Sequence, residues 1–321
     1  PVFSMKEDPL IVCLKLLADG APRRRGQLPL NPEVLERLAS YGVEESDETL
    51  VLAGGLELLD AASIREGLDP HGRAFVGELE ILSEIDSTNR YLLESAASGP
   101  IEGRVCLAEM QTSGRGRRGR TWASPFASNI YLSLGMRVDD LPAIQALSLA
   151  VGVAVADALA DFGAEDVGLK WPNDVLSGER KLAGILLELA RPGDRAAAIV
   201  IGIGVNVRVP QYVGREIDQP WVDLETIVRG GVSRNQLTSC LLNQLGKTIE
   251  RFRAGGFAPF KDRWEALHVH RGALVETHMA DEFVSGVAIG VDDYGRLLVN
   301  TAEGIVALVG GEVSIRRASA P

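Results

Sequence analysis

Residues 114–120 read Gly-Arg-Gly-Arg-Arg-Gly-Arg, four arginines and three glycines in seven positions. The run lies inside a longer anomaly. From Met110 to Val138 there is no Asp or Glu, while Arg115, Arg117, Arg118, Arg120 and Arg137 are present. The chain as a whole has a formal net charge of -11, so this window is a local positive field. Arginine grips phosphate or carboxylate through a planar fork of donors. Glycine lets the backbone approach an anion and present its N–H groups. The run therefore describes a flexible clamp for a ligand carrying several negative oxygens. Two other readings stand beside it. Gly114, Gly116 and Gly119 match the Gly-x-Gly-x-x-Gly of dinucleotide sites, but that fingerprint opens a helix after a strand. Here Thr121-Trp122-Ala123-Ser124-Pro125 follows, and the proline forbids the helix. The other reading is a solvated basic surface loop. The clamp is preferred only if other parts of the chain complete a site.

Four other segments supply polar groups of the right kind. Lys170-Trp171-Pro172-Asn173-Asp174 ends a short strand-like run, and Asp174 could hold Mg²⁺, which favours carboxylate and phosphate oxygens. Read alone, Pro-Asn-Asp is turn chemistry. Lys181 stands at the mouth of the apolar run 182–189, placed to meet a phosphate or simply to end a strand in solvent. Residues 199–207 form a buried-type strand in which Gly202 and Gly204 permit close backbone approach and Asn206 closes the end. The bland alternative is a bulge with a satisfied asparagine. Asp86-Ser87-Thr88-Asn89 joins a strand to a helix; all four suit capping, and their remaining donors and acceptors could grip a small polar head group.

The elements that must position these residues fall into three stretches. Residues 1–66 look like a small unit. Helical spacing covers 9–19, and Asn31-Pro32-Glu33 starts a second helix that stops at Gly42. Apolar runs on either side of Gly54-Gly55 predict a hairpin, and Ser63 with Glu66 predicts a capping box on a connector helix. Residues 67–270 form the main body. Strands are expected at 79–85, 105–109, 130–136, 167–170, 182–189 and 198–207, and helices at 89–97, 141–162 and 234–253. Strands on both sides of a long helix give an α+β layer and not a regular βαβ alternation. Residues 271–321 alternate at 273–277, 283–291, 296–300 and 305–309, which predicts a small barrel. Residues 208–220 are the most irregular stretch, and a loop of that length in a compact domain is often functional.

The bulk numbers exclude several classes. With 321 residues there is room for one large domain and one or two small ones. A net charge of -11 argues against a nucleic-acid coating protein. Cys13, Cys106 and Cys240 have no metal spacing and an odd count, which fits buried thiols in a reducing compartment. No run reaches the length of a membrane span, and the start is too short for a signal peptide, so a cytoplasmic protein with no membrane partner is expected. His71, His268, His270 and His278 sit in no nucleophile–histidine setting.

Taken together, Ser87-Thr88-Asn89, residues 114–120, residues 170–174, residues 181–184 and Gly204-Val205-Asn206 resemble the biotin protein ligase family, in the family's motif order and over about residues 67–321. The resemblance implies a central mixed-sheet catalytic domain of the class II aminoacyl-tRNA synthetase and biotin ligase type. It also implies an SH3-like β-barrel at 271–321 and a winged helix-turn-helix-like unit at 1–66. It implies ATP and biotin as substrates, with Mg²⁺, and a biotin carboxyl carrier protein as acceptor, the activity of a biotin–[acetyl-CoA-carboxylase] ligase. Ser87, Thr88, Asn89, Gln111, Arg115, Gly116, Arg117 and Lys181 would contact biotin or biotinyl-AMP, and Trp122 would flank the adenine. Gly114, Arg118, Lys170, Asn173, Gly184, Gly204 and Asn206 would complete the ligand site, with catalytic roles for Lys181, Arg117 and Asp174. Residues 208–221 would match a second loop that orders over the adenylate. Family members of this type often pair through their central domains, so a homodimer is in view. In the N-terminal unit only ten residues separate Gly20 from Asn31, and they include Pro22 and Pro29. That is too short for a full second helix before a recognition helix. Arg23-Arg24-Arg25 could touch phosphates, so operator DNA stays open, with the balance against operator-specific repression. A lipoate or octanoate ligase, a DNA-binding biotin sensor and a non-catalytic biotin-binding module are the alternatives.

Overall fold

The computed structural model describes residues 8–138, 144–190, 197–279, 282–309 and 314–317. The chain opens with helix α1 (Pro9–Leu17), started by Asp8, whose side chain accepts from Leu10 N, with proline at the first helical position. Strand β1 (Arg23–Arg24) and one 3-10 turn (Arg25–Gln27) follow. Helix α2 (Pro32–Ser40) starts where Asn31 Oδ1 accepts from Val34 N at 2.8 Å. Strands β2 (Val43–Glu45) and β3 (Thr49–Leu52) complete a three-stranded sheet of order β1-β3-β2. The span judged too short for a second helix thus holds a single 3-10 turn. The hairpin lies at β2–β3 and not around Gly54-Gly55. Those glycines turn the chain after β3 with φ of 85° and 68°, and a Cβ on Gly55 would stand 2.2 Å from Ala18 O. Gly54 serves the positive φ of the turn and Gly55 a close approach to the end of α1, which the sequence pattern does not distinguish from a hairpin turn.

Helices α3 (Ala61–Glu66) and α4 (Pro70–Phe75) lead into the main body. The cap of α3 is Asp60, accepting from Ser63 N at 2.8 Å, and not a box built on Ser63. The body then runs β4 (Glu78–Leu82), α5 (Thr88–Ala96), β5 (Arg104–Ala108), β6 (Ile130–Val138), α6 (Ile144–Asp161), β7 (Val167–Lys170), β8 (Asp174–Ser177), β9 (Arg180–Ala190) and β10 (Ala197–Val205). Helices α7 (Gln211–Gly214), α8 (Leu224–Ile227), α9 (Arg234–Gly255) and α10 (Ala258–Leu267) follow. The seven strands form one sheet of order β4-β5-β6-β10-β9-β8-β7, with β4–β5 parallel and every other neighbouring pair antiparallel. This is the mixed sheet expected of an α+β body. The expected helix at 141–162 is present from Ile144; residues 141–143 lie outside the described set. Strand β8 was hidden because Pro172-Asn173-Asp174 reads as turn chemistry and only four residues follow before the next turn.

Strands β11 (Leu274–Met279), β12 (Glu282–Val291), β13 (Leu297–Thr301), β14 (Gly304–Leu308) and β15 (Ser314–Arg317) form an antiparallel sheet of order β14-β13-β12-β11-β15. The first four are the expected alternating runs; β15 is an addition. The inner face of this sheet, with Val275, Ala288, Leu297 and Val299, joins the same hydrophobic cluster as α6 and the central sheet. Trp171, buried beneath the turn between β7 and β8, donates from Nε1 to Gly295 O at 2.9 Å and ties the two together. On the other side, a buried ion pair between Arg234 Nη2 and Glu109 Oε2 (2.8 Å) holds α9 to the end of β5. Glu109 Oε1 also accepts from Leu59 N, and Arg234 Nη1 donates to Glu57 O, so the connector from the N-terminal unit is stitched into the same knot. Such a pair is stable only because every charge has partners. Burial pushes the thiols of Cys13 and Cys106 up to about 11 and about 12, which makes them inert small core residues. Among the described residues no helix is long and apolar enough to cross a membrane.

His268 follows α10. Its ring stacks on Trp264 at 4.6 Å between centroids, is 6% exposed, and has no hydrogen-bond partner at either nitrogen among the described residues. Burial, then the charges of His270 and Arg271, lowers its pKa to about 3 from an ordinary 6.5. Between those values the unfolded chain binds a proton that the folded chain refuses, so stability rises with pH across the window and falls on acidification. Urea unfolding at several pH values between 3 and 7 should show this slope. His268→Phe should flatten it, and an unchanged slope in that variant would remove His268 as its source.

Candidate active site

The strand register builds the site before any loop is considered. Directly opposite residues on antiparallel neighbours share a face of the sheet. Asp174 on β8 pairs with Gly184 on β9, Gly184 with Gly204 on β10, and Gly204 with Tyr131 on β6. One row across four strands therefore reads carboxylate, bare, bare, phenol. Gly202, two residues before Gly204, extends the bare strip on the same face. The strip is occupied from above. A Cβ on Gly204 would stand 2.4 Å from Trp122 Cε2, one on Gly184 3.0 Å from Trp122 Cζ3, and one on Gly202 2.2 Å from Asn89 Oδ1. The glycines are absent side chains that make room for the indole and the amide.

Above the strip lies a cavity of about 620 Å³, within the usual range for small-molecule sites. Of the residues singled out by sequence, Ser87, Thr88, Asn89, Gln111, Arg115, Gly116, Arg117, Arg118, Trp122, Lys170, Asn173, Asp174, Lys181, Gly184, Gly204 and Asn206 all line it. Gly114 does not. A Cβ there would meet Trp122 O at 2.4 Å and Ser124 Oγ at 2.5 Å, so this glycine serves the path of the loop and not the wall of the cavity.

One end of the cavity is the start of α5. Ser87 is its cap and accepts from Arg90 N. Thr88 donates from its backbone N (2.9 Å) and from Oγ1 (3.1 Å) to Gln111 Oε1, and Gln111 Nε2 donates to Ser124 Oγ at 3.0 Å. The Ser133 hydroxyl donates to Asn89 Oδ1 at 2.6 Å and lies 2.7 Å from Thr88 Oγ1. Asn89 Nδ2 donates to Leu186 O and to Glu188 Oε2. Both amide hydrogens of Asn89 are thus committed inside the protein, which makes it a brace for this corner. Asn206 is a brace in the same sense: its Nδ2 donates to Lys181 O and Val222 O, fastening the second loop to the end of β10.

The other end is cationic. The loop 114–122 folds back on itself through Gly116 N donating to Arg120 O (2.7 Å) and Trp122 N to Gly114 O (2.9 Å). Arg118 sits at φ 56°, a left-handed conformation uncommon for a residue with a side chain, and Gly119 follows it at φ 72°. Arg117 Nη1 donates to Asn173 Oδ1 at 3.1 Å, and Asn173 is itself held by Nδ2 donating to Ile185 O. Burial, and after it the neighbouring Arg118 charge, lowers the Arg117 pKa from its ordinary value. Lys181 Nζ lies 2.9 Å from Asp174 Oδ1 and 5.3 Å from the centre of the Trp122 ring, a cation held between a carboxylate and an aromatic face. The second loop closes the wall: Glu216, Ile217, Asp218, Gln219 and Trp221 line the cavity, and Lys181 N donates to Pro220 O at 2.9 Å. Sequence reasoning missed Tyr131, Ser133 and Glu188. Each faces the site through strand parity, and only the register between β6, β9 and β10 reveals that.

Comparison with known proteins agrees with this geometry. Residues 82–206 match the Biotin/lipoate A/B protein ligase family, and residues 275–316 the Biotin protein ligase C terminal domain. The chain is 39% identical over 267 residues to the bifunctional ligase/repressor BirA of Escherichia coli, covering 82% of this chain and 80% of that protein. The chain belongs to the biotin protein ligase family. A biotin–[acetyl-CoA-carboxylase] ligase of Mycobacterium tuberculosis is 38% identical, with 79% of this chain and 95% of that protein covered. Among solved structures, the biotin protein ligase from Aquifex aeolicus in complex with biotin and ATP is similar with a TM-score of 0.65 and 30% identity. That match covers 75% of this chain and 99% of that one.

For this biotin ligase family member the glycine strip makes a direct prediction. In Gly204→Ala the new methyl takes the place of the indole, so Trp122 should leave the strip, because a surface-loop side chain yields more readily than two sheet strands. The intrinsic fluorescence should shift while the melting temperature changes little, and the shift should vanish in a Trp122→Phe background. Fluorescence identical to the wild type would place the ring elsewhere.

Proposed function

We propose that this chain is a biotin protein ligase that condenses biotin with ATP to biotinyl-5′-AMP and passes the biotinyl group to a lysine of a biotin carboxyl carrier protein. The observation that carries the reading is a cavity in which an uncharged polar corner (Ser87, Thr88, Gln111) and a cationic end (Arg117, Arg118, Lys181) lie together over a strip of glycines. The relatives' names supply the ligands: one is solved with biotin and ATP, another is named for the acetyl-CoA carboxylase it modifies. A lipoate-type ligase is the weaker alternative, since the C-terminal unit matches a domain described for biotin ligases.

In the first step a carboxylate oxygen of biotin attacks the α-phosphorus, the bond from that phosphorus to the bridging oxygen breaks, and pyrophosphate leaves. Two anions must meet, so charge is the principal obstacle. Arg117, Arg118 and Lys181 offset it, chiefly by fixed electrostatics and positioning. No protein nucleophile is needed. Asp174 would be the carboxylate to hold Mg²⁺, an ion that needs only one or two protein carboxylates and keeps its other ligands. The described residues contain no three-ligand cluster that would hold an ion by itself. The ion would add positive charge against the phosphates. In the second step the acceptor amine attacks the carbonyl carbon of the mixed anhydride, AMP leaves, and the amine gives up a proton, for which we assign Asp174. Closing the cavity shields the adenylate from water.

The N-terminal unit contributes less to a DNA-binding reading. Arg23 is paired with Asp19 and Arg25 with Glu45, so two of the three consecutive arginines already have carboxylate partners, and the middle helix of a helix-turn-helix is a single 3-10 turn.

Incubation with ATP, Mg²⁺, biotin and a carrier domain should raise the carrier's mass by one biotinyl group. Lipoate or octanoate in place of biotin should leave it unchanged, and a carrier modified by those acids instead would overturn the assignment. Lys181→Ala should slow pyrophosphate release on the order of a hundredfold, the usual cost of losing one charge-stabilising donor. A wild-type rate in that variant would take Lys181 out of the chemistry.

A further inference from the structure

Glu188 is the one charged residue between Lys181 and Ala190 in β9. It lies four residues past Gly184, so it projects from the cavity face of the sheet. A carboxylate on the inner face of an apolar strand is unfavourable unless it is paired and hydrogen-bonded. Here it has two partners, both from the site. Its Oε2 accepts from Asn89 Nδ2 at 2.9 Å, and its Oε1 lies 3.2 Å from Arg115 Nη1.

The two partners belong to different elements. Asn89 is at the start of α5, in the uncharged corner, and is buried, with Oδ1 receiving the Ser133 hydroxyl. Arg115 opens the arginine-glycine loop. The loop's second anchor is Arg117 on Asn173, between β7 and β8. Arg115 and Arg117 therefore reach to two different points beside the glycine strip, Glu188 on β9 and Asn173 before β8, and the segment between them is stiffened by the Gly116–Arg120 hydrogen bond. The loop crosses the cavity as a strap fastened at two points, one of which is Glu188.

We propose that Glu188 is a positioning residue: its carboxylate couples Asn89 to Arg115, and so sets the closed position of the loop over the uncharged, biotin-holding end of the cavity. The proposal rests on the biotin ligase reading for the identity of that ligand, while the latch itself is a property of the protein alone. Arg115 on Glu188 is an ion pair with a partly exposed guanidinium, so salt weakens it. The Glu188 anchor is also the one shared with the corner that holds the small acid, so biotin and not ATP should feel its loss.

Two variants separate the arms. Glu188→Gln keeps an acceptor for Asn89 but removes the charge that holds Arg115; Glu188→Ala removes both. The Arg115 side chain is about half exposed, so its pair with Glu188 has the modest strength of a partly solvated bridge. Glu188→Gln should therefore raise KM for biotin about fivefold with kcat and KM for ATP near wild type, and Glu188→Ala about tenfold. Arg115→Gln, which also removes a cavity-lining cation, should raise KM for biotin at least as much, and adding Glu188→Gln to it should raise that KM no further, as expected of two residues acting through one contact. Trypsin cleavage after Arg117, Arg118 or Arg120, located by mass spectrometry on the substrate-free protein, should speed up in both Glu188 variants. A biotin KM in Glu188→Gln within about twofold of wild type, or additive effects in the double variant, would overturn the proposal. Loop cleavage at the wild-type rate would overturn it as well. Should the wild-type protein transfer no biotin to a carrier, the biotin ligase reading fails, and the cleavage rates still decide the latch.

Discussion

Gly184 and Gly204 face each other across β9 and β10, and the space above them exists because neither has a side chain. The central strands of a sheet packed on both sides are normally filled with branched residues. Here the same strands carry Ile185, Ile203 and Val205 into the core on one face and bare glycine at 184, 202 and 204 on the other. The cost is local, since glycine weakens a strand interior. The length of β10 against β6 and β9, paired over its full run, offsets it. Everything that acts on a ligand is arranged around that emptiness: Trp122 rests on it, Asn89 and Lys181 flank it, and the arginine loop crosses it.

Electrostatics then divides the site. The site's cations lie around the strip, and nearby acids pair with two of them: Asp174 with Lys181 of β9 and Glu188 with Arg115 of the loop. A cluster of cations with no counter-charge would repel itself and open in the absence of ligand. Two carboxylates placed at its margins keep it assembled, and Arg117, which donates to the Asn173 amide, lines the same cavity, where its planar fork of donors suits an incoming phosphate.

Much of this was legible in the sequence, and the reason differs by residue. The loop stood out because its charge opposes that of the chain, and the corner at Ser87–Asn89 because capping residues have a fixed chemistry. The strands of the body were visible through apolar runs bounded by turn residues. What stayed hidden depends on register. Tyr131, Ser133 and Glu188 are ordinary strand residues until β6, β9 and β10 are aligned, and a shift of one residue would turn each to the opposite face. The short strand β8 was hidden by its own turn chemistry, and the hairpin of the N-terminal unit was displaced because Gly55 serves a close contact with the end of α1.

The N-terminal unit bears on the same site from a distance. Its hydrophobic cluster, built on Leu10, Leu14, Leu38 and Leu50, takes in Phe126 and Ala127 just after the arginine loop, and Met110 just before it. Tyr212 of α7, within the second loop, packs on that cluster too, with its ring 6.2 Å from Tyr41. Both loops that close the cavity are therefore rooted partly in residues of the first fifty. Ala127 holds a φ of 51°, a conformation that favours glycine, and its backbone N donates to Glu109 O, the residue whose carboxylate meets Arg234. A strained residue persists where its surroundings over-determine it, and here the surroundings come from both units. The geometry of the arginine loop is thus a joint product of the central sheet and the small unit packed against its base, whatever else that unit binds.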